Sequence, residues 1–153
     1  IWVAFAYSPT NVSVSYFIQR ILWIDCIGAF ATGLAMLILS GWLSGLYGFS
    51  VAFVIGHAIV HLIYGTYSFS LAVRKRRPMP LLLLLIFANA AWACFCLVLA
   101  ITITGHVSGF AVGHFILEGL YVASLAGIEW YRRKHLTISI IEPSQPPVSE
   151  KPI

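Results

Sequence analysis

Four long apolar stretches constrain this sequence more than any other feature. A helix that crosses the ~30 Å hydrocarbon layer of a membrane needs about 20 consecutive apolar residues. Four stretches reach this length, at about residues 16–39, 49–73, 81–103 and 107–131. Short connections join them, so we expect an all-α membrane protein with four antiparallel transmembrane helices in an up-down bundle.

The composition excludes an ordinary soluble domain. Of the 153 residues, 60% are hydrophobic and 9% are charged, against roughly 45–50% and about 25% in soluble domains. We expect residues 16–135 to form the bundle and residues 136–153, which are rich in Pro and Ser, to be a disordered cytoplasmic tail. Residues 1–15 are expected to be an interfacial N-terminal segment, incomplete because Ile1 is not a start residue.

The basic residues predict the orientation of the chain in the membrane. Lys and Arg in short loops stay on the cytoplasmic side. They fill positions 74–77 and 132–134, whereas positions 40–48 and 104–106 contain neither. We therefore expect a multi-pass protein of a bacterial cytoplasmic (inner) membrane with both termini in the cytoplasm. Its partner is then the lipid bilayer, and the net charge of +4 does not indicate nucleic-acid binding.

Ionisable side chains inside the spans are the candidate functional residues, because each costs about 2.5–3.5 kcal/mol to insert. Counting ~1.5 Å per residue from the cytoplasmic ends places His57 level with His114 and His61 level with Glu118. The two residues on each helix are four apart and share one face. We expect these faces to point into the bundle or toward a protein partner.

Three interpretations of these residues stay open. The first is a transition-metal site whose ligands are His57, His61, His114 and Glu118. The second is a haem or a chlorophyll-type pigment with His57 and His114 as axial ligands. The third is structural, with neutral histidines that hydrogen-bond to neighbours and define the helix register.

A second group of polar residues, nearer to the cytoplasm, is interpreted as structural: Arg20, Asp25, Asn89 and Glu129. Asp25 either relays protons or accepts hydrogen bonds from Asn89 or Arg20. Glu129 is expected to pair with a basic residue such as Arg20 or Arg74 near the inner membrane surface.

Several short motifs recur in one group of membrane proteins. They are the Asp25-containing start of the first span with its glycine-rich continuation, LYGFS, RKRRP, NAAW at residues 89–92 and IEWYRR at residues 128–133. From about Phe17 to Lys134 the chain resembles small, mostly uncharacterised bacterial four-helix integral membrane proteins. The resemblance implies an inner-membrane bundle and no particular activity, and the histidine and Glu118 set is not part of its pattern.

The leading functional interpretation is an accessory or structural subunit packed against a larger membrane-protein complex, because little of the chain lies outside the membrane. The sequence contains no nucleophile elbow, phosphate-binding glycine loop or Cys-rich metal motif. Enzymatic activity therefore stays open but is not the leading interpretation. One alternative is a haem- or pigment-binding subunit for electron or energy transfer that uses His57 and His114. Another is a metal-binding or small transport protein that also uses His61, Glu118 and Asp25.

Overall fold

The computed structural model describes residues 9–137, and the side chains of residues 20–137. This part of the chain forms five helices and no strand: α1 (Pro9–Ile38), α2 (Ser40–Tyr47), α3 (Val51–Ala72), α4 (Met79–Ile103) and α5 (Gly109–Leu136). Residues 1–8 of the predicted interfacial segment and residues 138–153 of the predicted tail lie outside the described residues.

Four of these helices are long and apolar enough to cross a membrane: Arg20–Ile38, Val51–Ala72, Met79–Ile103 and Gly109–Leu136. The expectation of an all-helical chain with four such segments is therefore confirmed. Two ends differ most from the predicted bounds: α1 begins at Pro9 instead of near residue 16, and α5 continues to Leu136 instead of ending near residue 131. The basic residues of this segment thus extend the helix and do not follow it.

The short helix α2 was not expected, since the Ser-Gly pairs between residues 40 and 45 suggested a turn. Its residues Leu43 and Tyr47 are four apart and both are buried, in a cluster that includes Val54 of α3 and Ala111 of α5. Burial of this apolar face outweighs the local turn preference. Gly48 ends α2 with a φ of 82°, a backbone conformation that glycine adopts without strain.

The long helices are arranged as two tightly packed pairs, α1 with α3 and α4 with α5. A Cβ atom added to Gly33 of α1 would lie 2.9 Å from the Leu62 side chain of α3. One added to Gly119 of α5 would lie 3.0 Å from Leu97 of α4. Glycine thus allows the close backbone approach on which membrane helices depend for their packing.

Arg77, in the link between α3 and α4, joins two helix ends. Its side chain is only 5% exposed. The guanidinium donates to the carbonyls of Leu71 at 2.7 Å and Ala72 at 3.1 Å, in the last turn of α3, and to that of Leu136 at 2.9 Å, the last residue of α5. The final carbonyls of a helix have no partner within it, so one side chain satisfies both ends.

The connections meet at opposite ends of the bundle. The backbone N–H of Arg77 donates to Thr137 O at 2.9 Å, and that of Ser108 donates to Tyr47 O at 3.1 Å. The first contact brings the basic link at residues 74–77 to the basic end of α5. The second brings together the segments at 40–48 and 104–106, which contain no Lys or Arg.

The role of Arg77 can be tested by stability. The change Arg77→Met should lower the free energy of unfolding in detergent by about 2–4 kcal/mol, because the carbonyls of Ala72 and Leu136 lose their donor at about 1–3 kcal/mol each, whereas that of Leu71 still accepts from Arg74 N. The measurement is thermal unfolding followed by circular dichroism. Arg76 is exposed, so Arg76→Met is the matched control. Equal destabilisation by both variants would contradict this role.

Candidate functional site

The carboxylate of Glu118, on α5, lies at the centre of a polar cluster. Its Oε2 atom is 3.2 Å from both His57 Nε2 and His114 Nε2, and its Oε1 atom is 2.8 Å from His61 Nε2. Trp92 of α4 donates its indole N–H to Oε1 at 2.6 Å. The structure therefore brings together all four residues that the spacing had singled out, and adds Trp92.

Helix caps and helix spacing position these side chains. Ser50 caps α3 by accepting a hydrogen bond from Phe53 N at 3.2 Å, and Ser108 caps α5 by accepting one from Ala111 N at 3.3 Å. The first histidine of each helix follows its cap by two turns or slightly less. A second ligand-type residue follows each histidine by four positions, on the same face.

Aromatic rings enclose the cluster. The His57 ring lies with its centroid 5.0 Å from that of Trp92 and 5.4 Å from that of Phe115, and the His114 ring lies 5.5 Å from the ring of Tyr47. Tyr47 belongs to α2, outside the four candidate spans. Burial raises the pKa of the Tyr47 hydroxyl, and the negative charge of Glu118 raises it further. Tyr47 therefore stays protonated and lines the site as a neutral side chain.

Three of these residues are close enough together to hold one metal ion. One ligand atom each from His57, His114 and Glu118 lie within 4.8 Å of one another. The ligand atoms of one tetrahedral zinc ion lie roughly 3–3.5 Å apart, given bond lengths of about 2.0–2.2 Å. His61 is not in this set, although its Nε2 atom contacts the other oxygen of Glu118. It therefore orients the carboxylate rather than completing the ligand set.

Hydrogen bonds alone do not satisfy the imidazoles. The Nε2 atoms of His57 and His61 lie 3.2 Å apart, a distance at which only one of the two can carry the proton between them. The Nε2 atom of His114 is buried and makes no hydrogen bond with adequate geometry to any residue that the structure describes. The Nε2 atoms of three histidines thus converge on one carboxylate, and a bound cation would supply the partner that His114 Nε2 lacks.

Asp25 lies in a separate layer nearer to the basic end. Its Oδ2 atom accepts hydrogen bonds from Tyr64 at 2.6 Å and from Ser68 at 2.7 Å, two α3 residues on the face that carries the histidines. Asn89 lies nearby, but its amide donates to Glu129 instead of Asp25. Arg20 is exposed and forms no ion pair with any residue whose side chain is described.

Glu129 differs from its expected role. It is fully buried, and its Oε2 atom accepts a hydrogen bond from Asn89 Nδ2 at 3.1 Å. Among the described side chains, the carboxylate contacts within ion-pair distance are those of Glu118 with three histidines, so the expected pair of Glu129 with Arg20 or Arg74 does not form. The reason is rotational, since Glu129 lies eleven residues after Glu118 and shares its inward face.

A cavity of about 170 Å³ separates the two polar layers. All four long helices line it. Its polar lining residues are Asp25, Thr32, His61, Tyr64, Asn89, Trp92, Glu118 and Tyr121. Both layers therefore open onto one shared space in the middle of the bundle.

Three contributors to these layers were not assigned their roles from the sequence. The sequence predicts neither a bond from the Trp92 indole to Glu118 nor bonds from the hydroxyls of Tyr64 and Ser68 to Asp25. A signal existed for the α3 pair, because Tyr64 and Ser68 follow His57 by seven and eleven positions, on the same face. No one-dimensional signal pointed to the bond between Trp92 and Glu118.

No protein-family model matches this chain, and comparisons with curated proteins and with solved structures find no similar protein. The chemistry of the site is therefore argued from its geometry.

The contribution of Trp92 to the cluster can be measured. Trp92→Phe keeps most of the ring but removes the donor to Glu118, so it should destabilise the protein by about 1–3 kcal/mol. The measurement is thermal unfolding in detergent. Trp42 is 64% exposed, and Trp42→Phe should change the stability by less than about 0.5 kcal/mol. A Trp92→Phe variant as stable as this control would contradict the assigned hydrogen bond.

Proposed function

We propose that this protein binds one divalent transition-metal ion within its helical bundle, through His57, His114 and Glu118. The observation that carries the proposal is the convergence of imidazole Nε2 atoms from two helices on one buried carboxylate. Two histidines and a carboxylate are the ligand set of many zinc sites and of non-haem iron sites. Such a set leaves at least one coordination position open.

The electrostatics of the site favour a cation. A carboxylate in an apolar interior is stable only when a compensating charge or several donors lie beside it. Neutral imidazoles supply no net charge, whereas a dication supplies it directly and takes up the nitrogen lone pairs. His61 and Trp92 would then act on Glu118 Oε1, holding the carboxylate in the orientation that the metal needs.

The geometry favours a metal ion over a tetrapyrrole. Two axial histidines must face each other across a slot that admits the whole macrocycle. Here Glu118 Oε2 lies 3.2 Å from the Nε2 atoms of both His57 and His114, so the carboxylate lies where the slot would have to be. The haem or pigment interpretation therefore ranks behind the metal interpretation.

We further propose that the four long helices cross a bacterial cytoplasmic membrane in alternating directions, with both ends of the chain inside. Contacts between α1 and α3 pair Asp25 with Ser68 and Gly33 with Ala58, so numbers rise along one helix as they fall along the other. The clustering of Arg and Lys at one end of the bundle supports the orientation.

An accessory role in a larger membrane complex stays a prediction from the sequence. Large apolar side chains such as Ile101 and Phe110 are exposed, and such a surface suits contact with lipid as well as contact with a protein partner.

Metal binding can be tested with Co²⁺, whose visible absorption reports the coordination geometry. Titration of metal-free wild-type protein in lipid nanodiscs should give one equivalent of bound Co²⁺ with ligand-field bands, and excess Zn²⁺ should displace it. His114→Ala should weaken binding by more than about 100-fold through loss of a ligand, and His61→Ala by roughly 10–100-fold through loss of an orienting contact.

The matched control is His106→Ala, because His106 is exposed and lies outside the cluster. It should bind Co²⁺ as the wild type does. An unchanged Co²⁺ spectrum in His114→Ala, or no binding by a folded wild-type protein, would exclude this site.

The proposed threading can be tested by cysteine labelling in intact cells. The three natural cysteines, Cys26, Cys94 and Cys96, are first replaced by alanine. Lys75→Cys should then be protected from a membrane-impermeant maleimide until the cells are opened, while His106→Cys should be labelled from outside. Labelling in the reverse pattern would invert the orientation, and equal labelling of both in intact cells would contradict the four-span threading.

A further inference from the structure

We propose that Glu129 and Asp25 form a second binding site whose ligand is a single proton, carried on Glu129 Oε1. This site lies on the opposite side of the cavity from the Glu118 cluster and shares no residue with the proposed metal ligands. Its carboxyl groups come from different helices, Asp25 from α1 and Glu129 from α5.

The incomplete hydrogen bonding of Glu129 is the first observation. The residue is 0% exposed, and one of its oxygens, Oε2, accepts a hydrogen bond from Asn89 at 3.1 Å. Its other oxygen, Oε1, is buried and has no hydrogen-bond partner among the described residues. An ionised carboxylate can accept about four hydrogen bonds, so a single neutral donor leaves most of its charge uncompensated. A protonated carboxyl group fits this environment much better.

The groups around the site supply no counter-charge. Asp25 acts on Glu129 from α1 and Asn89 contacts it from α4. Tyr64 of α3 and Tyr121 of α5 also lie within electrostatic reach of Glu129. In the described part of the chain none of these neighbours is a cation, so two ionised carboxylates here would repel each other without relief.

The hydrogen bonds indicate which carboxyl group carries the proton. Asp25 Oδ2 receives two hydroxyl donors, Tyr64 at 2.6 Å and Ser68 at 2.7 Å, which stabilise the ionised form. Glu129 has only the Asn89 amide, which donates to Oε2 and makes that atom the carbonyl oxygen. The proton then belongs on Oε1, beside Asp25 and Asn89, two residues that line the cavity.

Infrared spectroscopy of the full chain in lipid nanodiscs at neutral pH tests the site. The wild type should show the carbonyl band of a protonated carboxylic acid, above the amide band, and this band should shift to lower frequency in D₂O as the proton exchanges. Glu129→Gln, which preserves the shape of the side chain, should remove the band. Asn89→Ala should retain the band and move it to higher frequency, because the carbonyl oxygen loses its donor.

Two controls separate this site from the metal site. Glu118→Gln should leave the acid band unchanged, and Glu129→Gln should still bind one equivalent of Co²⁺. A wild-type protein that binds no Co²⁺ but shows the acid band would therefore refute the proposed function and leave the proton site standing. A wild-type protein that binds Co²⁺ but shows no acid band would refute the proton site alone.

Several results would overturn the proposal. One is the absence of an acid band in the folded wild-type protein. Another is a band that survives Glu129→Gln, since this assigns the proton to another group. A band that is present without Na⁺ and is abolished by adding it at constant pH would show that the two carboxyl groups bind a metal cation instead.

Discussion

A carboxylate placed deep in an apolar bundle must find its compensation inside the protein, and the Glu118 side chain meets this requirement with partners from two other helices. Apolar packing holds α1 against α3 and α4 against α5, but apolar surfaces specify register poorly where lipid is as apolar as the core. The bonds from Glu118 to His57 and His61 cross from one pair to the other. They define how the two pairs fit together.

The sequence predicts well what depends on position along a helix. Spacing of four residues and equal depth group His57, His61, His114 and Glu118 together, and the structure places each histidine within 3.2 Å of the Glu118 carboxylate. Burial near the end of a span is harder to infer, because it depends on neighbours that are distant in sequence. The depth of Glu129 predicts a place at the membrane rim, although its position eleven residues after Glu118 puts it on the same face, and the structure buries it.

Local preferences failed where tertiary contacts outweighed them. The Ser-Gly pairs of α2 predict a turn, yet burial of Leu43 and Tyr47 makes the segment helical. Arg77 was counted with its exposed neighbours as a topology signal, although its guanidinium is buried against helix ends. In both cases the deciding partner lies on another helix, so no window of sequence around the residue contains the information.

The position of Arg77 has a consequence for assembly. The ribosome makes Leu71 and Ala72 shortly before Arg77, their donor, whereas Leu136 follows Arg77 by 59 residues. Until α5 has been synthesised, one arm of the guanidinium lacks its protein partner. The bond between Arg77 and Leu136 therefore forms only after α3, α4 and α5 have all been made, and a chain truncated before Leu136 would leave this arginine with its α3 partners alone.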